Sequence, residues 1–290
     1  MAQEFFDDDQ VRIFLTYCMT DEQINTLKTC IEGDIGIAET VEILKKFPST
    51  ASSSVELQQR LCGLWTLLND TAVGIPTAQP AIISILRHIR TLPREELPQD
   101  EDQEYFDFDD GYYWRELSWW PSDAADKQNY YFASYKLEKH GLEERMKRRE
   151  NCVSANAYTA RLAATGDEIL AMQGAALDRA ASVAMTDLQK KDDALDPGCV
   201  EAAAQLFVYA VREMFCLMQG DPEGEDVQSK RAHSGQCLIR RKEDHTPKDL
   251  WDFFRERWCQ ITEIGELPFE TRAAARRALE AMRQVSVEGK

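Results

Sequence analysis

The sequence predicts an all-α protein, a single multi-helical domain of about ten helices over residues 1–290. Apolar residues recur with a period near 3.6 over most of the chain, and no convincing stretch alternates with period two. The residues between periodic runs are those that start and stop helices, with Ser, Thr and Asp at the starts and Gly and Pro at the ends. Any strands are therefore expected to be short and peripheral.

The elements follow in order. Thr20 and Gln23 form a capping-box pair, which predicts a helix from about Asp21 to the turn at Gly33 to Gly36. Pro48 closes the next helix, and the serines from Ser49 to Ser54 cap the one after. That helix carries Leu57, Leu61, Leu64, Trp65 and Leu68 on one face. Pro76 and Pro80 separate two further helices, the second with the stripe Ile82, Ile85, Leu86 and Ile89. Asp196-Pro197 opens a helix with proline in its first turn. Its stripe runs through Val200, Ala203, Ala204, Phe207, Val211, Met214, Phe215 and Met218. Leu206, Val208, Tyr209, Cys216 and Leu217 make the other faces apolar too, which predicts one long, central, buried helix. Trp251, Phe254, Trp258 and Ile261 form another stripe. After Pro268 the alanine- and arginine-rich segment Glu270 to Val285 completes a helical hairpin.

Two segments lack any such pattern. Glu95 to Asp110 holds nine acidic residues and no basic one, and reads as an exposed, mobile connection. Gly220 to Asp249 mixes glycine, proline and both charges, and reads as a mobile loop. With 51 acidic and 34 basic residues the formal charge is −17, which repels a phosphate backbone, so no nucleic-acid partner is expected. The run Leu206 to Val211 is far shorter than the roughly 18 apolar residues that span a bilayer, so no membrane partner is expected. Met1 to Asp9 carries carboxylates where a secretory leader needs a basic start, and the eight cysteines are dispersed. They read as small buried hydrophobes in a cytoplasmic protein.

Chemistry-bearing motifs are sparse. Twelve of the 27 aromatic residues lie between Tyr105 and Tyr135. Such a cluster either fills the seam between helical layers or walls a ligand pocket. Asp7 to Asp9 lie too near the terminus to line a central cavity, and the residues at Asp107 to Asp110 and at Asn69-Asp70 miss the spacing by which helical terpene synthases hold magnesium. His88, His140, His233 and His245 are isolated, and the pair His233 and Cys237 lacks further ligands, so no metal is expected. There is no glycine-rich phosphate loop, and no cofactor is expected. The basic runs around Arg145 to Arg149 and Arg240 to Lys242 read as solvated helix faces. The segment Asn156-Ala157-Tyr158-Thr159-Ala160-Arg161-Leu162 is more informative. Its small residues permit close helix packing, and Tyr158 and Arg161, three apart on one face, can aim donors at an acidic partner or at a ligand carbonyl.

Leu64-Trp65, Ile89-Arg90-Thr91-Leu92-Pro93, Trp114-Arg115-Glu116, Asn156 to Leu162, Trp251 to Trp258 and Glu270 to Met282 occur in an order that resembles a fungal family known as domain of unknown function 3632. The resemblance spans roughly residues 55–287. It departs at Cys152, where the family pattern has tryptophan, and in the polar stretch Gly220 to Asp249. It implies an all-helical fungal protein with no recognised cofactor, and by association a place in specialised metabolism. Two functions follow as expectations. One is a cofactor-independent cyclase, a pericyclase of the Diels–Alder type, acting on an apolar terpenoid or polyketide intermediate. Arg161 and Tyr158 would then be the polarising donors, and Trp114, Trp119, Trp120 and Asn156 would line the substrate site, with the aromatic stretch apposed to the small-residue stretch. The other is a non-enzymatic helical interaction or regulatory module whose aromatics build its core. A closed apolar cavity would favour the first and a solid core the second.

Overall fold

The computed structural model describes residues 19–135, 141–219 and 247–288. Among these the chain is all-α, with eleven α-helices of eight residues or more and no strand. It divides into two compact units, Met1–Tyr130 and Tyr131–Lys290.

In the first unit, α1 (Asp21–Glu32) starts at the expected capping box and ends at Gly33, whose φ of 90° is the left-handed conformation that glycine adopts without steric cost. Gln23 also reaches across to the next helix, donating from Nε2 to the Leu44 carbonyl at 2.7 Å. α2 (Ile37–Leu44) packs against α1 and against the later helix Gln79–Ile89. A single turn at Lys46–Ser49 leads to α3 (Ser54–Gly74), capped by the Ser53 hydroxyl. The predicted stripe of α3 is its buried face: Leu57, Leu61, Leu64, Trp65 and Leu68 are at most 2% exposed. Pro76 opens a 3₁₀ turn, and Pro80 lies in the first turn of α4 (Gln79–Ile89), so it starts that helix rather than preceding it.

The acidic stretch 95–110 is irregular and, apart from buried Phe108, exposed or half-buried, yet well fastened. Arg94 Nε donates to the Asp110 carbonyl at 2.6 Å, the Glu95 amide donates to the Gly111 carbonyl, and Tyr113 Oη donates to Glu95 at 2.7 Å. The Ser54 amide at the start of α3 donates to Asp100. These bonds answer the repulsion of the carboxylates with specific donors. A single turn at Tyr113–Glu116 then precedes α5 (Trp120–Tyr135), within which the first unit gives way to the second.

In the second unit, α6 (Leu142–Ala163), α7 (Ala175–Leu188) and α11 (Phe269–Glu288) enclose α8 (Pro197–Tyr209). α8 opens as expected: Asp196 accepts from the amides of Gly198 and Cys199 at 2.9 and 3.1 Å. The long stripe to Met218 is not one helix. It breaks at Ala210 (φ −135°, ψ 39°), and α9 (Val211–Gln219) continues from there. No proline or glycine marks the break, so tertiary packing overrides the local periodicity. The hairpin of α10 (Pro247–Glu263) and α11 is present, and Phe207 packs between the rings of Trp251, Phe254 and Trp258. Residues 247–249 of the expected second loop open α10, and the rest of that loop lies outside the described residues, as do Asp7 to Asp9, His140, His233, His245, Cys18, Cys237 and Arg240 to Lys242.

Gly111 has φ of 90°, and a Cβ there would meet the Glu95 carbonyl oxygen at 2.3 Å. Gly111→Ala is therefore expected to lower the stability of the first unit by about 2 kcal/mol, combining left-handed strain with a backbone clash. Denaturant unfolding of the variant checks this, and an unchanged midpoint would show that the 95–110 connection gives way freely.

Candidate functional site

Chemically distinctive groups gather at three places. The first is the ring cluster of the first unit. Trp65 and Trp114 meet edge to face at 6.1 Å, Tyr113 and Trp114 lie 5.0 Å apart, and Phe108 stands 4.9 Å from Trp119. Trp65 Nε1 donates to the Ser118 carbonyl at 2.8 Å, which draws the loop down onto α3. That loop bends through left-handed φ values at Asp109, Asp110, Leu117 and Trp119. For bulky side chains such as leucine and tryptophan this conformation is strained and needs support from the packing around it. Trp114 and Trp120 are 0% exposed, and Trp119 is half-buried against Phe108. Burial, with the Glu95 carboxylate beside it, pushes the Tyr113 hydroxyl well above its ordinary value, so it stays protonated.

The second is Asp123 on α5. Its Oδ1 accepts from Thr66 Oγ1 at 3.0 Å and its Oδ2 accepts from Asn69 Nδ2 at 2.8 Å, both on α3, while Lys127 pairs with the neighbouring Asp70 at 2.7 Å. Burial raises the Asp123 pKa, and the bonds from Asn69 and Thr66 and the charge of Lys127 only partly offset it. No sequence pattern marks this carboxyl, because what distinguishes it is a contact more than fifty positions away along the chain.

The third place is α6 in the second unit. Toward its middle Arg149 forms a forked pair with Glu201, which also accepts from Thr271 Oγ1 at 2.6 Å, and Tyr135 donates to Asp196. Burial works against the charge of Arg149, but Glu201 outweighs it and the guanidinium pKa is raised. Burial and the Asp196 carboxylate raise that of Tyr135. Farther along, Asn156 is buried and donates to the Cys152 carbonyl at 2.9 Å within its own helix, and Tyr158 is buried, 5% exposed. Arg161 lies at the helix end. Its guanidinium carbon sits 3.8 Å over the ring of Tyr209, the last residue of α8, and among the described residues it pairs with no carboxylate. Its Nε is sealed from solvent without an acceptor.

Trp114, Trp119 and Trp120 thus belong to the first unit, and Asn156, Tyr158 and Arg161 to the second. Of these six, Arg161 keeps an unsatisfied donor on a partly exposed side chain, and its ring partner Tyr209 is, in the sequence, only one more apolar position of α8. The cysteines are only partly as expected: Cys30, Cys152 and Cys199 are buried, whereas Cys216 and Cys259 are exposed. Among the described residues no three His, Cys, Asp or Glu side chains gather as a metal site, and no helix is long and apolar enough to cross a membrane.

Residues 65–259 match the model of a family described as protein of unknown function (DUF3632). The chain belongs to the DUF3632 family. The match covers two thirds of the chain and includes Trp65, Trp114 and the Asn156 to Leu162 segment, while Glu270 to Met282 lies beyond it. No curated protein and no solved structure matches this DUF3632 chain.

The raised pKa of Asp123 has a definite sign in stability. A carboxyl whose folded value lies above its unfolded value stabilises the fold most fully below the unfolded value near 4, and that contribution is lost as pH rises through the folded value. Asp123→Asn, which cannot ionise, is expected to gain stability relative to the native chain between pH 4 and pH 7. Chemical denaturation of both proteins across that range measures the difference. A gap that is constant with pH would mean that Asp123 titrates alike in the folded and unfolded chain.

Proposed function

We propose that this chain is a non-enzymatic helical interaction module. The observation that carries the reading is the state of the tryptophans that would have walled a substrate pocket. Trp114 and Trp120 are wholly enclosed, and Trp114 packs against Trp65 and Tyr113, the latter meeting Phe108. Rings used in this way contribute buried area and rigidity, and they leave no free face against which a substrate could lie.

The cofactor-independent cyclase keeps one observation in its favour, the Arg161 guanidinium with its unsatisfied Nε. In that reading Arg161 polarises a carbonyl of an apolar intermediate in a water-poor setting, and Tyr158 supports it from the same helix.

The two readings part on one measurement. The purified chain is incubated with a metabolite extract from its source organism lacking the gene, and the products are followed by mass spectrometry. The module reading expects no new isomer of unchanged mass, with or without exhaustive chelation. An isomer that forms with the native chain, and at least tenfold more slowly with a folded Arg161→Ala variant, would overturn it in favour of the cyclase.

A further inference from the structure

The outer face of α11 gathers cations in a strongly acidic chain. Its inner face is fixed by Ala274, Ala275, Ala278, Leu279 and Met282, all buried in the core around α8. The exposed side carries Phe269, Arg276, Arg277, Glu280 and Arg283. Phe269, Arg276 and Arg283 recur every seven residues, close to two helical turns, so they form one line about 21 Å long.

Several helices tie their arginines to a carboxylate one turn away, as Arg60 with Glu56, Arg148 with Glu144 and Arg255 with Asp252. Glu280 stands at that same spacing, four residues after Arg276, three after Arg277 and three before Arg283. It pairs with none of them, and among the described residues these three arginines have no carboxylate partner. Arg276 instead lies toward the Phe269 ring, its guanidinium carbon 5.7 Å from the ring centre, and Phe269 is 65% exposed.

Composition and charge then point the same way. Arginine and phenylalanine are enriched where proteins meet and lysine is depleted there, and α11 has four arginines and no lysine. A guanidinium forks onto both oxygens of a carboxylate, which an ammonium cannot do. At the start of α11, Glu266 and Glu270 are exposed together with Phe269, so an acidic partner is repelled there and drawn toward Arg276 and Arg283. A nucleic-acid backbone is charged along its whole length and would run from the arginines into these carboxylates and the field of a −17 chain. A short acidic segment avoids both, because charges beyond about 8 Å are largely screened at physiological salt.

We infer that the line of Phe269, Arg276 and Arg283 is a docking surface for a short acidic segment of another protein, its carboxylates on the arginines and an apolar side chain over Phe269. The inference rests on the module reading and names the chemistry of the partner.

The test uses the full chain and a fluorescein-labelled peptide of four Glu-Glu-Leu-Leu repeats, followed by fluorescence anisotropy. A Glu-Glu-Ser-Ser repeat and a labelled oligouridylate serve as comparisons. The native chain is expected to bind the leucine peptide saturably, at least tenfold more tightly than the serine peptide or the RNA, and less tightly as salt is raised. Replacing both arginines, Arg276→Gln with Arg283→Gln, is expected to lower the affinity at least tenfold. Arg276→Lys with Arg283→Lys should recover part of it, and Phe269→Ala should erase the advantage of leucine over serine. Arg87→Gln, on the exposed side of α4, is expected to change nothing. Melting curves establish that each variant is folded, and should the glutamine pair fail to fold, the lysine pair against Arg87→Gln carries the comparison. No saturable binding of the leucine peptide, an equal loss in Arg87→Gln, or tighter binding of the RNA would each overturn the inference. Self-association of the native chain in sedimentation that the glutamine pair abolishes would assign the face to a second copy and overturn it as well. Each of those results leaves the module reading standing, since that reading falls on the appearance of an isomer in the extract assay and not on peptide binding.

Discussion

A helix that is apolar on every side can exist in water only if other elements enclose it, and in the second unit that helix is α8. Val200, Ala203, Ala204, Leu206 and Phe207 are all 0% exposed, so α6, α7 and α11 are held where they are by the need to cover it. Enclosure leaves the polar start of α8 to be satisfied from within the protein. Asp196 takes two of its free amides, Tyr135 donates to the same carboxylate, and Glu201 one turn later gathers Arg149 and Thr271. Gly198 makes the arrangement possible, because a Cβ there would come within 2.4 Å of Tyr135 Oη and 2.9 Å of Arg149 Cγ. Removing one member of such a clasp would leave another buried charge or donor without its partner, a costlier result than the loss of a surface ion pair.

The first unit solves a different problem. A strained loop that passes through left-handed backbone at Leu117 and Trp119 has to be held by something stronger than its own propensity. The support is Trp65, fixed by its place on the buried face of α3 and bonded to Ser118, with Trp114 stacked edge-on against it. The concentration of rings that suggests a pocket in the sequence is thereby accounted for by the fold. A short connection carrying many carboxylates contributes little apolar area of its own, and the aromatic residues that follow it supply what is missing.

What was legible in the sequence divides along the range of the forces involved. The Thr20 and Gln23 box, the Ser53 cap, the Asp196-Pro197 start and the α3 stripe were read correctly because each depends on residues within a turn or two. The break at Ala210 was not, since a break without proline or glycine is imposed by packing from outside the helix. Asp123 among Thr66 and Asn69, and Arg161 over Tyr209, were invisible for the same reason: their meaning lies in partners brought close by the fold. The segment Asn156 to Leu162 stands out in the sequence for its small residues, yet the packing divides its members. Asn156 turns back on its own helix, Tyr158 is buried, and only Arg161 retains an unsatisfied donor on a partly exposed side chain.

The contrast between Asp123 and Arg149 bears on where function would reside. Arg149 is neutralised by Glu201 in a forked pair, and a charge so fully answered has little left with which to act on another molecule. Asp123 has neutral donors on both oxygens, and its nearest cation is engaged with Asp70, so its proton affinity is raised rather than lowered. Arg161 is the cationic counterpart, a guanidinium with an aromatic ring for support and no counter-ion among the described residues. A neutral amide at 123 would remove the cost of ionising a buried carboxyl but offers one acceptor to two donors, and an aliphatic residue at 161 would remove the unsatisfied donor but also the stacking on Tyr209. The carboxyl on α5 and the guanidinium at the end of α6 are thus held in place at an electrostatic cost that the packing around them has to offset.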